Sequence, residues 1–346
     1  MTTAATTRAR TLTVERVVAE TEDSITIELE RPDDPVFTAE PGQFLTLRIP
    51  SERTGSVARC YSLCSMPDEP VLAVTVRRTA EGYASNWLCD NIRADSKLEV
   101  LPPSGVFVPR SMDEDLLLIA GGSGITPIMS ILRTVLVAGS AHITLLYANR
   151  DERSVIFAAR LARLAEAYPD RLTVIHWLAS LQGHPGPATL TPLLAPHTGC
   201  EAFICGPEPF MEAANAALDA LGVHGDRIHR ERFLSLSGDP FEEPELYLDA
   251  AGEADADEAG LTVSLDGLVH QLSWPRPLTL IELLIAKGIE APYSCREGEC
   301  GSCACTLLEG SVDMARSDTL DAADIADGYI LGCQARPTSD EVVIEF

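Results

Sequence analysis

Three cysteines crowd a nine-residue stretch, Cys295-Arg-Glu-Gly-Glu-Cys300-Gly-Ser-Cys303, and a fourth, Cys333, stands alone further on. The spacing C-x4-C-x2-C with a distant Cys is the plant-type ligand pattern of a [2Fe–2S] cluster. Two irons bridged by sulfide need four soft thiolates, here Cys295, Cys300, Cys303 and Cys333. Gly298 and Gly301 lie between the ligands. Without Cβ they let backbone N–H groups approach the sulfur atoms at positive φ, and those groups help set the reduction potential. The competing assignment is structural zinc. Zinc sites commonly come as two C-x2-C pairs, and only Cys300 and Cys303 form one. Cys305 is a fifth candidate. It opens the run Cys-Thr-Leu-Leu, which predicts a strand leaving the loop with Cys305 buried in it.

A cluster moves electrons singly, so the chain should also hold an electron source and meet a sink. At 346 residues it has room for two or three domains. The net charge of −26, from 52 acidic and 26 basic residues, argues against a nucleic-acid binder and against docking on anionic lipid. The sequence contains no apolar run of membrane length, and residues 1–10 are small and polar, unlike a signal peptide. Beyond the four ligands the cysteines are scattered, which predicts a reducing, cytoplasmic location.

The expected fold class is multidomain. Short β-like runs at 11–18, 24–29, 43–49, 57–63, 71–77 and 97–101, punctuated by Pro, Gly, Asp and Asn, predict an antiparallel β-barrel over 8–110. From 111 to 233 strands and helices alternate, which predicts an α/β domain with a parallel sheet. Its strands are expected at 116–120, 143–148, 172–178, 202–205 and 228–233. Its helices are expected up to 137, at 155–168 and 208–221, with a short turn at 192–194. Residues 234–260 contain no Lys or Arg and read as an acidic linker. Residues 261–346 hold the cysteine pattern, an Asp266-Gly267 hairpin signal between runs 261–265 and 268–274, a helix at 278–287 and a closing strand at 342–346. Together these predict an α+β plant-type ferredoxin domain.

Two glycine-bearing loops point to a nucleotide. Gly121-Gly122-Ser123-Gly124-Ile-Thr126-Pro127 lies between a strand and a helix, where glycines and the helix N-terminus suit a pyrophosphate. Pro127 stands where a G-x-G-x-x-G motif would have its third Gly, and a tight βα turn is the alternative. Cys205-Gly206-Pro207 follows another strand of the same sheet, so both loops are expected at one pocket. In the first segment, Arg59-Cys60-Tyr61-Ser62-Leu-Cys-Ser65 sets an Arg, an aromatic ring and a hydroxyl along a strand. That combination suits a flavin: Arg for a phosphate, Tyr for stacking, Ser for the ring edge. An ordinary strand with an exposed Arg is the alternative.

These runs, followed by Glu231-Arg-Phe233, occur in the order seen in the ferredoxin–NADP reductase superfamily, which the chain resembles over nearly its whole length. With its C-terminal cluster pattern it is similar to the phenylacetyl-CoA-epoxidase-reductase-like branch and, within that, to reductase components of 3-ketosteroid 9α-monooxygenases. The stretches 53–63, 81–91, 147–157 and 294–306 carry the likeness. The resemblance implies FAD, NADH and a [2Fe–2S] cluster. It implies FAD contacts at Arg59, Cys60, Tyr61, Ser62, Ser65, Val76, Arg77, Gly82, Ala84, Ser85 and the terminal aromatic Phe233. It implies nicotinamide contacts at Gly121, Gly122, Ser123, Gly124, Thr126, Pro127, Cys205, Gly206 and Pro207, with Ser62, Thr126, Cys205 and Glu231 at the reacting centre. Unlike the superfamily's usual ending, the chain continues beyond its aromatic.

After the second strand of the α/β segment stand both Arg150, suited to a 2′-phosphate, and Asp151, suited to a free ribose; the resemblance points to NADH. The implied function is an NADH-dependent reductase, passing electrons through FAD and the cluster to a terminal oxygenase of 3-ketosteroid 9α-hydroxylation. The alternatives are the reductase of an acyl-CoA epoxidase or aromatic hydroxylase, or an autonomous NADH oxidase. A monomer is expected. Glu297 and Glu299, beside the cluster ligands, are expected either to dock the partner or to be ordinary solvated charge.

Overall fold

The computed structural model describes residues 9–233, 236, 238–241, 258–265, 267–315, 319–320 and 322–346. Its first sheet comprises β1 (Arg10–Thr21), β2 (Ser24–Glu30), β3 (Phe44–Ser51), β4 (Gly55–Ser62), β5 (Val71–Arg77) and β6 (Lys97–Val100). The order is β4-β3-β6-β1-β2-β5, with every pair antiparallel. The sheet curls until its two edges meet at a single bridge, Leu63 to Val74. Alternation drives the curl: Leu45, Leu47 and Ile49 of β3 all point into one core with Ile27, Leu29, Leu72 and Val74. Helix α1 (Tyr83–Asn91) plugs that core with Leu88. The sequence reading did not anticipate α1, whose stretch has no marked amphipathic period.

The second sheet comprises β7 (Leu116–Gly121), β8 (Ile143–Asn149), β9 (Leu172–Leu178), β10 (Glu201–Cys205) and β11 (Ile228–Glu231). It is parallel, in the order β11-β10-β7-β8-β9. Between its strands run helices α2 (Ile125–Ala138), α3 (Ala158–Ala167), α4 (Ala179–Gln182), α5 (Pro187–Leu194) and α6 (Glu208–Ala220). Strand β7 shows why both faces are covered. Leu116, Leu118 and Ala120 pack with residues of α2 and α3, whereas Leu117 and Ile119 pack with residues of α5 and α6. The strand order switches direction between β7 and β10, which makes their carboxyl ends the ligand crevice of this fold type.

The third sheet has the order β13-β12-β18-β14-β16. Its strands are β12 (Glu258–Leu265), β13 (Leu268–Pro275), β14 (Ala304–Glu309), β16 (Tyr329–Leu331) and β18 (Glu341–Glu345), with a separate ribbon of β15 (Val312–Met314) and β17 (Ala335–Pro337). Helices α7 (Leu280–Ala286) and α8 (Ala322–Ala326) complete the domain. A capping box starts α7: Thr279 Oγ1 accepts the Glu282 N–H, and Glu282 Oε2 accepts the Thr279 N–H at 2.8 Å. Fully buried Trp274 anchors the core, donating its indole N–H to Leu278 O at 2.9 Å.

Some expected boundaries move. The helix expected from 155 starts at Ala158 because Phe157 is left-handed, with φ 62°. The turn expected at 192–194 is a full helix from Pro187, whose missing N–H costs nothing in the first helical turn. The last parallel strand stops at Glu231 rather than 233. Residues 258–260, read as linker, are already strand. Most of the expected linker, 242–257 with 234, 235 and 237, lies outside the described residues.

Candidate functional site

At the crevice, β7 runs straight into a tight 3-10 turn, Gly122–Gly124, and then α2. The glycines are there for lack of space. A Cβ on Gly124 would sit 2.1 Å from Cys205 O and 2.4 Å from its carbonyl carbon. One on Gly121 would meet Phe210 Cδ1 at 2.8 Å and Pro207 Cδ at 2.9 Å. The glycine loop and the Cys205-Gly206-Pro207 loop therefore interlock, as one pocket requires. Gly122 O accepts the Tyr147 hydroxyl at 3.0 Å, and Thr126 Oγ1 donates to Ser123 O at 3.0 Å. Pro127 lies in the first turn of α2, where the absent N–H breaks no helical bond.

Cys205 and Glu231 are register partners at the ends of β10 and β11. Cys205 is fully buried, and burial, then the Glu231 carboxylate, raises its thiol well above the ordinary range. Glu231 retains some surface, yet protein crowds it closely enough that burial pushes its carboxyl up to about 8. A raised carboxyl pKa means the folded state takes up a proton that the unfolded chain has lost. This destabilises the fold progressively as pH climbs from about 4.5 to about 8, with no further change above. Glu231→Gln removes this effect, so the difference in thermal midpoint, variant minus wild type, should grow across that window and then level. A difference that stays flat from pH 5 to 9 would refute the raised carboxyl.

Arg59, Cys60, Tyr61 and Ser62 lie on β4, an edge strand of the first sheet, with Cys60 within electrostatic reach of Glu231. Arg59 donates to Ala58 O at 2.6 Å and Leu236 O at 3.3 Å. Tyr61 is half-buried against the first core and Ser62 is buried. Cys60 faces the other way, toward Cys295 and Cys300, and burial pushes its thiol up to about 12. Ser65 and Ser85 spend a lone pair internally, accepting from Ala73 N at 3.0 Å and Thr79 N at 3.1 Å. Gly82 caps α1 with no side-chain acceptor, so the helix N–H groups beside buried Ala84 and Ser85 remain for an anion. Val76 is in the core, which leaves only its backbone for a ligand. Arg77 pairs with Asp23 at 3.0 Å, and its Nη1 lies 3.0 Å from where a Gly122 Cβ would be. It thus joins the first sheet to the glycine loop. Phe233 is 46% exposed just past β11.

Arg150 and Asp151 are tied to each other, Nε to Oδ2 at 3.5 Å, and Arg150 also reaches Asp23 at 4.0 Å. Asp151 Oδ1 caps the following turn by accepting Ser154 N at 2.9 Å. With two carboxylates beside it, Arg150 is poorly placed to favour a 2′-phosphate, which fits NADH. Asp23 went unnoticed in the sequence because its partners come from β5 and the end of β8, so no local pattern marks it.

The cysteine loop reverses on three left-handed residues, Arg296 (φ 58°), Gly298 (φ 78°) and Gly301 (φ 71°). The curl turns N–H groups onto sulfur: Glu297 N to Cys295 Sγ at 3.3 Å, Cys295 N to Cys300 Sγ at 3.5 Å, and Cys333 N to Cys303 Sγ at 3.4 Å. Thiol hydrogen bonds from Cys300 and Cys333 hold Cys295 far below the ordinary thiol range, and the Cys333 thiol does the same for Cys303. Among the described residues no three metal-ligating side chains converge as a single-ion site. The four sulfurs are instead linked to one another through Cys295 and Cys333. The donor set and inward N–H groups fit a binuclear cluster. Cys305 is buried on β14, its thiol 3.9 Å from Ile330 O, outside this group.

Residues 118–216 match the oxidoreductase NAD-binding domain, and residues 263–338 match the 2Fe-2S iron-sulfur cluster binding domain. Over 344 residues the chain is 56% identical to the ferredoxin reductase component of 3-ketosteroid-9-alpha-monooxygenase from Rhodococcus rhodochrous, covering 98% of this chain and 97% of that protein. The chain belongs to the ferredoxin–NADP-reductase-like oxygenase reductases with a C-terminal [2Fe–2S] domain. Within this family it is 33% identical over 355 residues to a component of the 1,2-phenylacetyl-CoA epoxidase of Escherichia coli, covering 97% of each. Among solved structures, an intact type IV self-sufficient cytochrome P450 monooxygenase superposes with TM-score 0.63 at 25% identity, covering 97% of this chain and 41% of that one. Phthalate dioxygenase reductase superposes with TM-score 0.57 at 23% identity over 98% of both chains, a likeness of fold. As a member of this family the chain is an NADH-driven electron-transfer oxidoreductase using FAD and a [2Fe–2S] cluster. No described helix is long and apolar enough to cross a membrane.

Proposed function

We propose that the chain is the reductase of a 3-ketosteroid 9α-hydroxylating system and delivers electrons from NADH to its terminal oxygenase. The observation that carries this reading is the identity above one half, sustained from end to end, with a component of that system. When bound, the cofactors supply the redox chemistry, a two-electron hydride acceptor in FAD and a one-electron carrier in the cluster. The chain supplies the rest. Residues 8–110 form the flavin domain, whose curled sheet acts as a barrel; 111–233 form the NAD domain, 234–260 the linker and 261–346 the ferredoxin domain.

In this reading Arg59 and the α1 N-terminus neutralise flavin phosphates, Tyr61 and Phe233 flank the ring, and Ser62 donates to its edge. Ser65, Val76, Arg77 and Ser85 complete that wall. The loops Gly121–Thr126 and Cys205–Pro207 cradle NADH, with Thr126 and Cys205 beside the nicotinamide. Glu231, protonated over part of the neutral range, holds a proton beside Cys205 and keeps a full negative charge away from the reacting centre. Cys295, Cys300, Cys303 and Cys333 hold the irons. The six cysteines beyond the four ligands form no disulfide, which supports a reducing cytoplasm, and the chain is expected to work as a monomer.

The test is reconstitution. The chain, NADH and the oxygenase component of a 3-ketosteroid 9α-monooxygenase should together yield hydroxylated steroid in step with NADH consumed. Oxygen uptake matching NADH turnover without any oxygenase would instead identify an autonomous oxidase.

A further inference from the structure

The chain between the second and third sheets reads in sequence as a solvated acidic tether, yet its first residues are bonded on two sides. Asp239 Oδ2 accepts from Ser56 Oγ at 2.6 Å and from Arg48 Nη2 at 3.3 Å, and both donors lie on the flavin-side strands β4 and β3. The main-chain oxygen of Asp239 accepts from Arg296 Nη2 at 2.9 Å, and the Gly238 N–H donates to Glu297 Oε1. Arg296 and Glu297 directly follow the ligand Cys295. Asp239 Oδ1 also accepts the Phe241 N–H at 2.9 Å, which fixes the local turn. Leu236 and Phe241 are buried with Ala58, Leu101 and Cys295 in one small apolar cluster. The Arg48 guanidinium lies 5.6 Å from the Phe241 ring centroid.

We propose that Asp239 is a positioning residue for electron transfer: through it, Leu236 and residues 238–241 strap the cluster loop onto the outer face of the flavin-side sheet. The inference rests on the reading that β4 serves the flavin and Cys295 the cluster. Side-chain bonds fasten the strap to the sheet, and main-chain bonds fasten it to the cluster loop, so neither domain moves without straining it. Beneath it the two domains also touch directly, Thr46 Oγ1 to Ser294 Oγ at 2.8 Å between two buried residues. A cavity of about 260 Å³, lined by Gly238, Asp239, Cys295, Arg296 and Cys333, lies between strap and ligands. Arg48 keeps a second carboxylate, Glu99 at 3.2 Å. Releasing Asp239 therefore leaves Arg48 with a carboxylate partner. Glu297, expected from sequence to face a partner or solvent, is occupied here by the strap.

The experiment uses the full-length holoprotein carrying Asp239→Arg, which sets a third guanidinium against Arg48 and Arg296. Like charges in such a contact repel, so docking should weaken by at least about tenfold. In stopped flow with NADH, flavin bleaching should keep its wild-type rate, whereas the later cluster bleaching slows by about tenfold or more. Small-angle scattering should show a larger radius of gyration. Adding Arg48→Asp to Asp239→Arg should recover part of both, since the re-formed pair is opposed by Glu99 and Arg296. Arg48→Glu, which sets a carboxylate against Asp239 and Glu99, gives the same prediction should Asp239→Arg not fold. Unchanged cluster bleaching together with an unchanged scattering profile would overturn the strap. A wild-type protein that NADH does not bleach would overturn the function instead, and the scattering comparison would still decide the strap.

Discussion

Cys295→Ser should strip the purified protein of its iron–sulfur absorption while NADH still bleaches the flavin. A serine hydroxyl is harder and far less acidic than a thiol, so the variant offers three thiolates where two irons need four. The Glu297 N–H also points onto the Cys295 sulfur at 3.3 Å. Altering a residue that merely supports a metal ligand already costs about 10- to 100-fold, so loss of a ligand should lower electron delivery to an oxygenase by more than about 100-fold. Cys305→Ala is the control. Its thiol is buried in the domain core and faces Ile330 O, so the cluster should survive with a stability loss of about 1 kcal/mol. If Cys295→Ser kept its cluster while Cys305→Ala lost it, the ligand assignment would be wrong.

Gly124→Ala should be the most damaging single methyl in the molecule's nucleotide crevice. The new Cβ would fall 2.1 Å from Cys205 O and 2.7 Å from Gly206 N, both backbone atoms with no rotamer to yield. Overpacking of a core typically costs about 1–3 kcal/mol, and relief here requires separating the glycine loop from the Cys205-Gly206-Pro207 loop. The thermal midpoint should fall by several degrees and the KM for NADH should rise at least about tenfold, a loss of about 1.4 kcal/mol in binding. Gly183→Ala is the contrasting variant for space alone, since a Cβ there meets nothing within 4 Å. Its φ of +72° makes it strained but leaves the crevice untouched. An unchanged KM in Gly124→Ala would show that the interlocked loops do not form the NADH pocket.

What could be read in the sequence follows what is local. The cysteine spacing, the glycine loop between a strand and a helix, and the alternation of β7 to β11 are all short-range patterns, and each was legible. The two ligand-type loops ending strands of one sheet were legible too, but not the strand order that puts the switch point between β7 and β10. Three further things were not legible. Helix α1 forms over a stretch without helical periodicity, held by Leu88 in a core supplied by β2, β3 and β5. Asp23 serves Arg77 and Arg150 across two sheets, with nothing beside it in sequence to mark it. Asp239 looks like one more carboxylate in an acidic run, and its meaning comes only from Arg48 and Ser56, far earlier in the chain. Composition identified that run as solvated. Tertiary partners overrode it at its first residues, where Leu236 and Phe241 had apolar surface to bury.

The relay account is tested most directly by an absorption spectrum of the protein as purified, recorded before and after anaerobic addition of NADH. It predicts flavin bands above broad iron–sulfur absorption, with both bleached by NADH in the absence of any partner. Flavin bleaching with no iron–sulfur absorption, or a cluster that stays oxidised beside a reduced flavin, would contradict it.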